Sequence, residues 1–298
     1  MRLLADGNHL ASRCRHAKVN ELMTKDGRSS GVIFGFLRGL SHAGNQVGVS
    51  PDDITVVWDG GHSQGRKDIY PAYKANRTPT NPTEEEKAEW NSFVSQMEAL
   101  REGLPLLGIH QVRVLGCEAD DIISVLAHLI QEDGDVVWVF SSDKDFHQII
   151  SPSCRIFDAY RDKLDVETVC SYWNVEHAAE IVFVRAIVGD ESDNIAGIDG
   201  IGPKRAANAV RDWLRPDVEL TPGELKYRNL AKHEKWSIVE RNLKLMRLPR
   251  TWDESFYTRE QGIDMLRQAT VFIKEDPMAF ARFCKEWELE SFIETTRW

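Results

Sequence analysis

Val136-Val-Trp-Val-Phe-Ser-Ser-Asp143 is a short apolar run, rich in β-branched and aromatic residues, that stops on a carboxylate. Arg2-Leu-Leu-Ala-Asp6 and Ile54-Thr-Val-Val-Trp-Asp59 have the same form. Runs this short and this uniformly apolar predict strands covered on both faces, which is the habit of a parallel sheet. Helical periodicity over residues 85–107, 119–131 and 175–188 falls between and after them. Strand and helix in alternation predict an α/β fold with a central, mostly parallel sheet flanked by helices. Active sites of open α/β sheets lie beyond the carboxyl ends of the strands. Asp6, Asp59 and Asp143 fall there, while Trp58 and Trp138 read as core.

Away from these strands the pattern changes twice. Residues 60–86 are rich in Gly, Pro, Thr and basic side chains and predict a long excursion from the sheet, of a length that is usually functional or disordered. From about residue 192 glycine-punctuated turns and short basic helices take over, so the chain divides into a body over 1–190 and a helical region over 191–298. No apolar run approaches the roughly 18 residues of a membrane helix. A carboxylate at Asp6 comes too early for a signal peptide. Five widely spaced cysteines without a Cys-x-x-Cys pair suggest neither a disulfide framework nor a zinc site. The expectation is a reduced, cytoplasmic protein.

The formal net charge of −10 looks wrong for a partner of nucleic acid, but its distribution does not. Between residues 223 and 250 lie Lys226, Arg228, Lys232, Lys235, Arg241, Lys244, Arg247 and Arg250 against three glutamates. An acidic centre flanked by basic segments suits cations held between protein and polyanion. Taken alone, each basic segment also reads as a solvated surface.

The acids gather in short clusters: Glu118-Ala-Asp120-Asp121, Asp143-Lys-Asp145 and Asp190-Glu-Ser-Asp193, besides Asp6 and Asp59. Mg²⁺ prefers oxygen ligands and keeps several waters, so a few converging carboxylates hold it. Two such ions about 4 Å apart stabilise both attacking and leaving oxygens of a phosphodiester displacement. Each cluster alone has a plainer reading, as a helix cap, a strand-to-helix turn or an Asx turn. Their shared position at strand ends and helix starts on one sheet edge favours a metal cluster.

The segments Leu4-Ala-Asp-Gly-Asn8, Val57-Trp-Asp59, Tyr73-Lys-Ala-Asn-Arg77, Gly116-Cys-Glu-Ala-Asp-Asp121, Ser142-Asp-Lys-Asp-Phe146, Gly189-Asp-Glu-Ser-Asp-Asn194 and Gly197-Ile-Asp-Gly-Ile-Gly-Pro-Lys204 together resemble the 5′ nuclease family of flap endonucleases, phage 5′ exonucleases and the polymerase I 5′ nuclease domain. The resemblance implies a PIN-like fold. It implies that Glu118, Asp120, Asp121, Asp143 and Asp145, with Asp6 and Asp59, serve the first metal site as ligands or their supports, and that Asp190 and Asp193 serve the second. It implies two or more Mg²⁺ ions, with Mn²⁺ able to substitute.

Residues 61–86 carry Arg66, Lys67, Lys74 and Arg77 with Tyr70 and Tyr73 interleaved. Basic side chains contact phosphate and aromatic faces take unstacked bases. By resemblance this is a helical arch over the active site, in which Lys74 and Arg77 contact the scissile phosphate and Arg66, Lys67 and Tyr73 contact DNA. Pro71, Pro79 and Pro82 keep any helix there short. Gly200 and Gly202, followed by Pro203, Lys204 and Arg205, resemble the family's helix-hairpin-helix variant, which grips the duplex backbone and holds K⁺ through backbone oxygens. Ala196 and Asp199 depart from its proline-containing form.

The resemblance therefore implies a metal-dependent 5′-3′ exonuclease and flap endonuclease acting at single-strand/duplex junctions or RNA–DNA hybrids. It would remove primers or flaps as a stand-alone monomer beside replication proteins such as a single-strand binding protein. A ribonuclease of the related PIN type and a silent junction-binding factor are the rivals. The arch and hairpin speak against the first, and the full set of acids against the second.

Overall fold

A computed structural model describes the whole chain except residues 78–80, 161, 215–234, 252–255, 271–272 and 295–298. Five strands run parallel: β1 (Arg2–Asp6), β2 (Ile54–Trp58), β3 (His110–Arg113), β4 (Val137–Phe140) and β5 (Cys154–Asp158). A sixth, β6 (Asp162–Leu164), closes one edge antiparallel to β5. The order is β3-β2-β1-β4-β5-β6. The chain leaves β1 toward one edge and later returns to build β4 and β5 on the other side. The switch lies between β1 and β4, and Ala5 pairs with both Val56 and Phe140. That register brings Asp6, Asp59 and Asp143 to one edge, at the switch point where such sheets bind ligands.

Helices cover both faces. On one side pack α1 (Gly7–Arg15), α2 (Gly31–Val47), α3 (Gln64–Ile69) being set apart, and α4 (Glu84–Gly103), with Phe36, Leu37, Leu40 and Leu100 fully buried. Phe36 stacks on Trp58 at 5.6 Å. On the other side lie α5 (Ala119–Glu132), α6 (Val166–Trp173) and α7 (Ile181–Val188), closing on Ile122, Ile123, Val139 and Val184. Among the described residues no helix is long and apolar enough to cross a membrane.

Three expected elements differ in their bounds, each for a local reason. The helix expected over 85–107 is α4 followed by a 3-10 turn, Leu104–Leu107, because Pro105 cannot donate the next helical hydrogen bond. The helix expected from 175 begins at 181, because Asn174 in the left-handed region (φ 55°) caps α6 and turns the chain. Among its described residues the excursion at 60–86 holds the helix α3 and a 3-10 turn at Ala75–Arg77 before the Thr83–Glu86 capping box opens α4.

Beyond α7 a small hairpin, β7 (Gly189–Asp190) and β8 (Ile195–Ala196), leads to α8 (Pro203–Leu214), α9 (Trp236–Met246), α10 (Arg259–Thr270), α11 (Pro277–Glu286) and α12 (Glu290–Glu294). These helices enter the cores built by the earlier chain: Val239 and Met265 on one face, Phe280, Phe283 and Cys284 on the other. Lys226, Arg228 and Lys232 lie outside the described residues. Asn242 of α9, wholly buried, donates to the Ala186 carbonyl at 2.8 Å and the Ala196 carbonyl at 2.9 Å, tying α9 to α7 and to the hairpin. Asn242→Leu keeps the volume and removes both hydrogen bonds, leaving the Ala196 carbonyl only the Arg241 guanidinium, at 3.1 Å, as a side-chain donor. It should cost about 1–3 kcal/mol, read as a lower urea midpoint.

Candidate metal centre

Asp6 is the last residue of β1 and the N-cap of α1, so its carboxylate is both strand end and helix cap. Oδ1 accepts the His9 amide at 3.0 Å and Oδ2 the Ser141 hydroxyl at 3.3 Å. Asp59, one residue past β2, accepts the Ala119 amide at 2.8 Å and so meets the start of α5. Asp143 caps the turn after β4 and accepts the Asp145 amide at 2.9 Å. Strand ends thus deliver three carboxylates to one place, each oriented by a backbone N–H.

The start of α5 delivers three more. Ligand oxygens of Glu118, Asp120 and Asp121 all lie within 4.8 Å of one another. Glu118 is buried and accepts from Arg66 Nη1 (2.7 Å), Tyr73 Oη (3.0 Å) and Lys74 Nζ (3.1 Å). Asp121 is held by both Nη atoms of Arg66, at 2.6 and 2.7 Å, and by the Tyr257 hydroxyl at 2.7 Å. Its oxygens are turned to these donors, so it supports the group from behind.

Asp145, Asp190 and Asp193 complete the set. Arg185 of α7 pairs with Asp145 and, at 2.7 Å, with Asp190. The β7–β8 hairpin that carries Asp190 is possible only with glycines. Gly189 sits at φ 81°, and a Cβ there would lie 2.4 Å from the Gly197 nitrogen. Arg77 pairs with Asp193, and Lys74 Nζ stands 3.9 Å from it.

The excursion divides in two. Arg66 and Tyr73, expected on DNA, are 1% and 3% exposed and point inward to Glu118; the charged cluster outcompetes water for both, so neither offers a surface contact. Arg66 also donates to the Leu245 carbonyl at 2.8 Å. Lys74 is held in the left-handed region (φ 55°), a costly conformation for lysine, and its amide donates to the Asp193 carbonyl at 2.9 Å. Its ammonium and the Arg77 guanidinium stand between Glu118 and Asp193. Lys67 is half-buried on α3. Gly200 (φ 77°) turns the chain ahead of α8, Gly202 faces open space, and Lys204 and Arg205 are exposed. Arg205 donates back to the Gly200 carbonyl at 3.1 Å. Residues 78–80, with Pro79, are outside the described residues.

Burial pushes Asp6 up to about 7, helped by Asp59 and Asp143. Burial also pushes Asp145 up to about 7 although Arg185 pulls it down, with Asp143, Asp190 and Asp193 adding to the rise. Asp59, Asp120 and Asp193 are raised too, first by burial. Glu118 goes the other way: burial opposes its charge, but Arg66 and Lys74 outweigh it. Asp190 is likewise held low against burial, by Ser192 and Arg185. The protein's own cations therefore satisfy part of the cluster and leave the rest crowded with like charge. An all-oxygen donor set short of positive charge fits hard divalent cations. Asp6, Asp59, Glu118, Asp120, Asp143, Asp145, Asp190 and Asp193 are the acids that could hold them.

Arg185 and Tyr257 carry no motif signal in the sequence. An arginine within the apolar helical run 181–188 is the one trace Arg185 leaves.

A family model described as 5′-3′ exonuclease, N-terminal resolvase-like domain, matches residues 1–176. DNA polymerase I of Rhizobium leguminosarum is 33% identical over 223 residues, covering 73% of this chain and 21% of that protein. The chain thus spans about a fifth of the polymerase it matches. A 5′-3′ exonuclease of Aquifex aeolicus is 30% identical over 246 residues, covering 82% of this chain and 80% of that one. The fold aligns with a bacteriophage T5 flap endonuclease, solved as a pseudo-enzyme–product complex with DNA and metal ions, at a TM-score of 0.67 and 22% identity over 96% of this chain and 97% of that one.

Removing Arg66 would leave two buried carboxylates without their shared partner. Arg66→Met should lower stability by about 3–5 kcal/mol in chemical unfolding. Arg66→Lys should recover only part of it, because an ammonium cannot span both Asp121 oxygens.

Proposed function

The chain belongs to the 5′-3′ exonuclease family, and on that footing we propose that it is a divalent-metal-dependent 5′-3′ exonuclease and flap endonuclease cutting phosphodiesters near single-strand/duplex junctions. One observation carries the reading: strand ends, the α5 start and a glycine-built hairpin converge to put carboxylates at a single sheet edge, with Lys74 and Arg77 set among them. The T5 enzyme of the same fold was solved with DNA and metal ions, which supports DNA and divalent metal for this chain as well.

Mg²⁺, or Mn²⁺ in its place, bound among these oxygens would supply Lewis acidity toward an attacking water and the scissile phosphate. The chain's own residues do the rest. Asp6, Asp59 and Asp143, each aimed by a backbone N–H, fix donors on the sheet edge. Glu118, held by Arg66 and Tyr73, keeps its charge in a buried place. Lys74 and Arg77 offer positive charge where a phosphate gains negative charge in the transition state. The Lys74 amide donates to the Asp193 carbonyl, which joins the segment carrying these cations to the β7–β8 hairpin.

Gly200, Gly202, Lys204 and Arg205, at the exposed turn before α8, would take the duplex backbone, which requires no reading of sequence. The backbone oxygens of that turn are our candidate for K⁺. Lys67, on the outer part of α3, would meet the substrate strand. RNA–DNA hybrids as substrates, action as a monomer and work beside a single-strand binding protein in replication follow from the family likeness and belong to the same reading.

The decisive experiment supplies a labelled 5′-flap duplex with Mg²⁺ or with EDTA. Cleavage at the junction should require Mg²⁺ and be abolished in Asp143→Ala. Lys74→Ala should lower kcat by about 10²–10³-fold, the size of one lost transition-state donor. A wild-type chain that binds the flap and never cuts it, with Mg²⁺ or Mn²⁺, refutes the proposal.

A further inference from the structure

Phe256 and Tyr257 reach the acid cluster from a segment to which the sequence assigns no role, well past the residues that the family model matches. The Tyr257 hydroxyl donates to Asp121 Oδ2 at 2.7 Å and accepts the Glu118 amide N–H at 2.9 Å. The Phe256 ring lies 5.2 Å from the Arg66 guanidinium and so close to Gly65 that a Cβ there would come within 2.6 Å of it. The helix that follows is fastened to the loop leading to Glu118. Gln261 donates to the Leu115 carbonyl at 2.9 Å, and Gln268 accepts the Arg113 amide at 2.8 Å. The loop between β3 and α5 is therefore clamped by α10 from one end to the other.

We propose that Tyr257 is a positioning residue of the metal centre: its hydroxyl fixes the Asp121 carboxylate and the Glu118 main chain together, and so sets the spacing of the Glu118 and Asp120 oxygens. The inference rests on the nuclease reading of that centre. A phenol has a single proton to donate, and here that proton goes to Asp121 while a lone pair takes the Glu118 N–H. One group thus ties the first turn of α5 in a single geometry. Partners that orient metal ligands from behind typically govern about 10–100-fold in metal affinity. The Phe256 ring on Arg66 extends the same support to the other partner of Asp121.

Tyr257→Phe removes the hydroxyl and keeps the ring. Gln261→Ala is its control: it removes the contact of α10 with Leu115 and the cap on the Thr258 amide, and keeps the Tyr257 hydroxyl. Mn²⁺ binding to the full chain, followed by electron paramagnetic resonance without DNA, is measured beside urea unfolding and the Mg²⁺ dependence of flap cleavage. Tyr257→Phe should bind Mn²⁺ about tenfold more weakly and need about tenfold more Mg²⁺ for half-maximal cleavage, with kcat at saturating Mg²⁺ largely kept. Gln261→Ala should lower the unfolding midpoint and leave Mn²⁺ affinity within about twofold of wild type, well short of the tenfold effect. The inference is overturned if Tyr257→Phe binds Mn²⁺ like wild type, or if both variants lose affinity equally. A wild-type chain that binds Mn²⁺ and cuts no flap removes the nuclease reading alone, and the Mn²⁺ titration still decides the place of Tyr257.

Discussion

Carboxylates gathered at one buried edge repel one another, and most of this molecule's unusual features answer that constraint. Like charges a few ångströms apart in a poorly solvated place cannot all stay ionised without cations. The protein answers from within at two points. Arg66 forks across Asp121 and reaches Glu118 from one side, and Arg185 bridges Asp145 and Asp190 from the other. Lys74 and Arg77 stand between these points. The acids nearest the sheet, Asp6 and Asp59, have hydrogen bonds from backbone or hydroxyl groups but no direct ion pair among the described residues, and both are raised by burial.

Holding such a cluster takes much of the fold. The parallel register of β1 with β2 and β4 brings three acids to one edge. Close approach of Gly189 and Gly197, which leaves no room for a Cβ, turns the hairpin that brings Asp190 back toward Arg185. Asn242 fastens that hairpin to α9, and Leu245 on the same helix accepts from Arg66. Helices late in the chain thus brace both sides of the centre. Among the described residues they pack into the cores of the body: Val239 and Met265 lie in one shared with α5 and α7.

Burial also sorts the basic residues in the excursion after β2. Arg66 and Tyr73 lie behind Glu118, where a guanidinium and a phenol meet carboxylates shielded from water. Lys74 and Arg77 lie at the rim, with Arg77 half exposed. The two kinds look alike in a sequence, because an arginine in a basic stretch reads as a phosphate contact unless its depth is known. Arg66, in a stretch that reads as phosphate contacts, is an internal partner of Glu118 and Asp121.

Local chemistry suffices for three of the strands, β1, β2 and β4, for the helical runs behind α4, α5 and α7, and for the acids at the strand ends. Apolar runs closing on carboxylates define strands at short range, and the position of an acid at a strand end follows from the strand itself. The Gly189–Asn194 and Gly197–Lys204 turns were visible for the same reason, since glycine's backbone freedom is a property of one residue. Tertiary structure alone decided which donors face those acids. Arg185 is the one charge in an apolar helix, and Tyr257 approaches Asp121 from 136 residues along the chain. Electrostatic partnership depends on distance through space and on exclusion of water, and neither is written in the order of residues.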